Sequence, residues 1–109
     1  MLWKLTIIAM AESVVSRFGI SIRLTDERSA HIIEEHGELA GVRADVLDAV
    51  ESAERVLAGG SGELLATREV TPGKRLVVVY REGNDDGFIT TAFLTRRIRS
   101  LDRRQQLWP

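Results

Sequence analysis

Cysteine is absent from this chain and histidine occurs only twice. The first absence removes disulfide cross-links, a thiolate nucleophile and any cysteine-ligated zinc. It also fits a reducing compartment, so a cytoplasmic location is the expectation. The scarcity of histidine narrows acid–base chemistry near neutral pH to His31 and His36, because histidine is the side chain whose unperturbed pKa lies there. Long hydrophobic runs are missing as well. The apolar segment from Leu5 to Ala11 follows a single lysine, is too short for a membrane span and lacks a convincing cleavage site, so no membrane partner is expected. No Gly-rich phosphate loop connects a strand to a helix, no Gly-x-Ser-x-Gly elbow occurs, and no aspartate cluster suits Mg²⁺. Those gaps set aside nucleotide hydrolases and serine hydrolases. Charge of one sign is not in excess either: 15 Lys+Arg against 16 Asp+Glu leave a net charge of -1, too little for a general attraction to nucleic acid.

What is present is enough for one domain over residues 1–109, since 109 residues with 44% hydrophobic content supply one modest core. Gly19 to Leu24 reads as a strand because Ile20 and Ile22 alternate with Ser21 and Arg23. Thr25 is placed to cap a helix that carries Asp26 and Glu27 in its first turn and stops at Gly37. A second helix is expected from Arg43 to Leu57, with Val46, Val50, Ala53 and Leu57 on one stripe. Three strands follow, Glu63 to Val70, Lys74 to Arg81 and Gly87 to Thr95, with Thr71-Pro72-Gly73 and Gly83-Asn84-Asp85-Asp86 as turns. Such short connections imply an antiparallel meander. The unalternated run Leu76-Val77-Val78-Val79-Tyr80 implies a central strand covered on both faces. The second cover is expected from the segment Leu2 to Val15, from the tail with Leu107 and Trp108, or from another subunit.

Both histidines fall on the first helix. Five residues separate them by about 140° around the axis, which argues against a helical metal pair, since that needs ligands at i and i+4. Neither a metal nor a cofactor is expected. His31 shares a helix face with Arg28 and Glu35, the makings of an acid–base cluster or of a surface charge row, and His36 can equally serve as a partner of the helix dipole. In the last strand Thr91, Phe93 and Thr95 point one way and Thr90, Ala92 and Leu94 the other. Tyr80 has a polar tip, and Arg68, Lys74, Arg75 and Arg81 on neighbouring strands suit either a phosphate cradle or cross-strand charge pairs. Arg96, Arg97, Arg99, Arg103 and Arg104 crowd the C-terminal end, as a solvated surface or as phosphate contacts.

The order of Arg23-Leu24-Thr25-Asp26-Glu27-Arg28, His31-Ile32, His36, Gly62-Glu63-Leu64-Leu65-Ala66, Leu76 to Glu82, Gly87 to Thr95 and Leu107-Trp108 resembles a family of small prokaryotic and phage-associated domains. That family is grouped with the barnase/EndoU/colicin/RelE-like (BECR) nuclease superfamily. The resemblance covers about residues 19–108, with residues 1–18 extending beyond the family's usual start. It implies an α+β fold, N-terminal helices packed on a four-stranded antiparallel sheet, RelE/barnase-like. It further implies toxin-like, metal-independent RNA cleavage, in which a ribose 2′-hydroxyl attacks the adjacent phosphate. Carried over, His31 is the base or acid and Thr91 the phosphate contact. His36 and Tyr80 follow as further catalytic candidates, and Arg28, Arg75 and Arg68 as substrate-binding ones. RNA is the expected partner, with an antitoxin or immunity protein as another. The alternative is a non-catalytic RNA- or protein-binding module, and a third possibility is a homodimer built on Leu2, Trp3, Leu5 and Ile7. A nuclease requires His31 and Thr91 to converge in one concave site with a basic neighbour; a binding module requires only a basic or apolar surface.

Overall fold

The computed structural model describes residues 11–35 and 43–109. In chain order its elements are β1 (Ala11–Val15), β2 (Ser21–Thr25), α1 (Asp26–Glu35), α2 (Arg43–Glu51), β3 (Arg55–Ala58), β4 (Leu64–Thr71), β5 (Lys74–Glu82), β6 (Asp86–Thr95), α3 (Ile98–Asp102) and β7 (Gln106–Trp108). The strands form one mixed sheet of seven in the order β1-β2-β6-β5-β4-β3-β7. This corrects the expected four-stranded antiparallel sheet: the core meander β4-β5-β6 stands, but β2 joins β6 in parallel through Ser21, Ile22 and Arg23 opposite Asp86, Gly87 and Phe88. The strands that went unread, β1, β3 and β7, have five, four and three residues, and their sequences, Ala11 to Val15, Arg55 to Ala58 and Gln106 to Trp108, do not alternate polar and apolar residues as those of β2 do.

β5 lies fourth of seven, and its β-branched run is buried on both sides. Leu76, Val78 and Tyr80 point into the larger core, with Ile22, Leu24 and Ala92 from the sheet, Ile32 from α1 and Val46, Ala49 and Val50 from α2. Val77 points the other way, joining Leu57, Leu65 and Leu101, with Val79 and Phe93 packed against them. The sheet therefore has a helix face under α1 and α2 and an opposite face that α3 covers in part.

α1 begins as expected, with the Thr25 hydroxyl accepting a hydrogen bond from the Arg28 amide at 3.1 Å. α2 ends at Glu51, not Leu57. Val46, Val50 and Ala53 do face the larger core, but Leu57 belongs to the opposite cluster. Val56 and Leu57, successive and both fully buried, are the two faces of a strand. Pro72 and Gly73 make the two-residue β4–β5 turn, where Gly73 takes φ +77° as a type II turn requires. At Gly87 a Cβ would fall on the Arg81 carbonyl and the Ile22 side chain, so only glycine fits between β5 and β2. Arg17, in the turn after edge strand β1, donates to the Ala53 carbonyl at 3.0 Å and lies 4.4 Å over the ring of Trp108 in the other edge strand.

Candidate functional site

A one-residue irregularity in β6 sets the geometry of the opposite face. Val79 pairs with Thr91 but Tyr80 pairs with Ile89, which leaves Thr90 as an extra residue in a β-bulge, its hydroxyl donating to the Val79 carbonyl at 3.1 Å. Strict alternation would put Phe88 and Phe93, five residues apart, on opposite sides of the sheet. The bulge restores them to the same side: Phe93 opposes Val77 and Phe88 opposes Arg81, both on the face away from α1 and α2.

At the α3 end of this face a hollow of about 340 Å³ opens between the 59–63 loop, α3 and the sheet. Leu65, Val79 and Phe93 make it apolar, Thr95 and Ser100 add hydroxyls, and Arg97 and Arg104 bring charge. Two arginines frame the loop, Arg81 donating to the Ser61 carbonyl at 3.0 Å and Arg104 to the Ala58 carbonyl at 3.3 Å. The Ser61 amide, hydrogen-bonded to the Glu63 carboxylate at 2.6 Å, holds that carboxyl below its usual range, with Arg81 and Arg104 adding to the effect. A second, more open hollow of about 470 Å³ adjoins it, lined by Arg96, Arg97, Ile98, Arg99, Ser100 and Arg103. Among the described residues Arg96, Arg97, Arg99 and Arg103 form no ion pair, whereas Arg23, Arg43, Arg55, Arg68 and Arg75 all do. Residues 96–104 carry five arginines and one aspartate, and that Asp102 is taken by Arg55 at 2.7 Å. With the whole chain at -1, the rest of the molecule is net acidic and the positive charge is local.

The residues singled out from the sequence do not gather here. His31 is exposed on α1, which packs on the helix face; Thr91 is half-buried on the opposite face. The sheet lies between them. His36 lies outside the described residues. Tyr80 is fully buried in the larger core, and among the described residues its hydroxyl has no hydrogen-bond partner. Burial pushes its ionisation upward, with Glu82 acting in the same direction. No ligand reaches that hydroxyl in this arrangement. Arg28 is exposed on α1. Arg75 is engaged with Glu54 at 2.9 Å, beneath the Glu69 amide that donates to the same carboxylate, and Arg68 with Asp48 at 2.6 Å. Both are charge pairs, but not the cross-strand ones their positions suggested: Asp48 lies on α2 and Glu54 in the connection from α2 to β3.

The arginine tract was expected either as a solvated surface or as phosphate contacts, while Phe88 and the 59–63 loop were not expected to take part in a site. The tract was visible as a charge run. The placement of Phe88 on the same face as Phe93 was not, because nothing in Gly87-Phe88-Ile89-Thr90-Thr91 marks which residue bulges.

Among the described residues no helix is long and apolar enough to cross a membrane, and no group of three or more His, Asp or Glu is placed to hold a metal ion. No family model matches the chain, and no curated protein or solved structure is similar to it.

Proposed function

We propose that this protein is a non-catalytic RNA-binding module that holds the phosphate backbone along α3 and the end of β6. The observation that carries this reading is a set of arginines that, among the described residues, have no carboxylate partner, beside a hollow lined by Leu65, Val79 and Phe93 and rimmed by hydroxyls. Arginine forks and hydroxyls are the groups that contact phosphate, and the apolar lining of the hollow shields those contacts from water. The rest of the surface is net acidic, so an incoming polyanion is steered to this ridge. A ribonuclease working by 2′-hydroxyl attack would need its acid, base and phosphate contacts at one phosphate. His31 and Thr91 stand on opposite sides of a sheet, which is why binding is preferred to cleavage.

The test is fluorescence anisotropy with a labelled single-stranded oligoribonucleotide at two salt concentrations. Replacing Arg97, Arg99 and Arg103 together by Ala is expected to weaken binding at least about tenfold and to reduce the salt slope by roughly 2, since each phosphate contact on a single strand contributes about 0.7. All three are exposed and outside any ion pair among the described residues, so the thermal unfolding midpoint should hold. RNA incubated with the protein in EDTA should stay intact. Unchanged affinity in the triple variant, or cleavage that His31→Ala abolishes, overturns the reading.

A further inference from the structure

The half of the same face that α3 leaves uncovered carries its own arrangement. Phe88 is 46% exposed, unusual for a large aromatic in the middle of a sheet. It sits between two arginines on directly paired positions, Arg81 on β5 and Arg23 on β2. Arg23 is held by Asp86 at 3.2 Å, while Arg81 has no ion pair among the described residues and reaches toward the 59–63 loop. The bulge at Thr90 is what turns Phe88 to this side, and because the extra residue adds no step to the ladder it leaves about 13 Å, four β5 residues, between Phe88 and Phe93. Thr91 lies between them on the same face, next to Val79 at the floor of the hollow.

We infer that Phe88 is a stacking platform, and that this face accepts single-stranded RNA and rejects duplex. The inference rests on the RNA-binding reading and narrows it. Unpaired bases offer their flat faces to exposed aromatics, and Arg81, beside the ring and outside any ion pair among the described residues, takes the phosphate that follows the base. Bases inside a duplex are already stacked and paired, so an exposed ring at Phe88 gains nothing from it. Charge complementarity selects this occupant over a neutral apolar partner: the path from Phe88 to the hollow passes Arg81 and ends on Arg97 and Arg104.

The experiment compares an unstructured eight-nucleotide RNA with a fully paired RNA of the same length, against wild type, Phe88→Ala, Phe88→Trp and the triple arginine variant. Wild type is expected to prefer the single strand by at least about tenfold. Phe88→Ala should lower single-strand affinity about tenfold and leave duplex affinity unchanged, and Phe88→Trp should restore it. If wild type binds both RNAs equally and Phe88→Ala changes neither, while the triple variant weakens both, the inference fails and the RNA-binding reading survives. If neither RNA binds, that reading falls as well. A wild-type dimer in sedimentation that becomes monomeric in Phe88→Ala overturns the inference in favour of a contact between two copies of this chain.

Discussion

Arg43 and Arg68 on the helix face each reach a carboxylate at 2.6 Å, whereas Arg96, Arg97, Arg99 and Arg103 around α3 reach none among the described residues. The contrast extends to apolar groups. Under α1 and α2 Tyr80, the largest fully buried side chain among the described residues, is sealed away with no hydrogen-bond partner for its hydroxyl among them, while on the other side an aromatic ring of similar size stands half in solvent. Exposed ion pairs stabilise a fold by about 0–1 kcal/mol, so pairing on the helix face matters less for stability than for cancelling charge. Five arginines gathered near one small helix do the opposite. They repel one another until a counter-charge arrives, and that is the arrangement expected where a polyanion binds. One face is closed by the fold, and the other leaves its charge and one aromatic ring open to solvent, which is what the proposed RNA-binding role draws on.

The comparison is broken most severely at the sealed side. Tyr80→Ala should cost about 3–5 kcal/mol in urea unfolding, by lost burial and the cavity left behind. On the ligand side, Leu101→Ala removes the one buried side chain of α3 and should cost about 2–3 kcal/mol. Unlike Tyr80→Ala, it should also weaken RNA binding in the fraction that remains folded, because Leu101 seats the helix that presents the arginines. Tyr80→Phe sharpens the contrast at smaller scale, since it removes a buried hydroxyl that has no partner and should be close to neutral at pH 7. At alkaline pH the two proteins should diverge. Burial keeps Tyr80 protonated in the folded state, while in the unfolded chain it ionises near its ordinary value of 10.0. Above that pH the unfolded state holds fewer protons, so stability falls as pH rises, by up to about 1.4 kcal/mol per unit. Tyr80 is the only tyrosine, and Tyr80→Phe should lack this component of the decline. Smallest of all is Arg68→Ala, at under about 1 kcal/mol and with RNA affinity unchanged, because its charge is already spent on an exposed Asp48.

Much of the helix face was legible in the amino-acid order. Thr25 caps α1 through a single local hydrogen bond, and the five apolar residues from Leu76 to Tyr80 announce a strand buried on both sides because burial is written in consecutive side chains. The limits of α2 were not legible, since Val56 and Leu57 continue a helical stripe and only their pairing with Ala66 and Leu65 makes them strand. The ligand face was hidden for a related reason. Its content depends on which residue of β6 is extra, on a parallel pairing between β2 and β6 that joins residues more than sixty positions apart, and on a five-residue helix too short for a periodic signal. The histidines stood out by rarity alone, and rarity does not set a direction in space.

The account turns on which side of the sheet meets RNA, and amide chemical shifts read that directly. Titrating the ¹⁵N-labelled protein with the eight-nucleotide single strand should move the amides of Phe88, Thr91, Phe93, the 59–63 loop and residues 96–104, and leave those of α1 in place. Shifts centred on Arg28 and His31, with α3 unmoved, would contradict it.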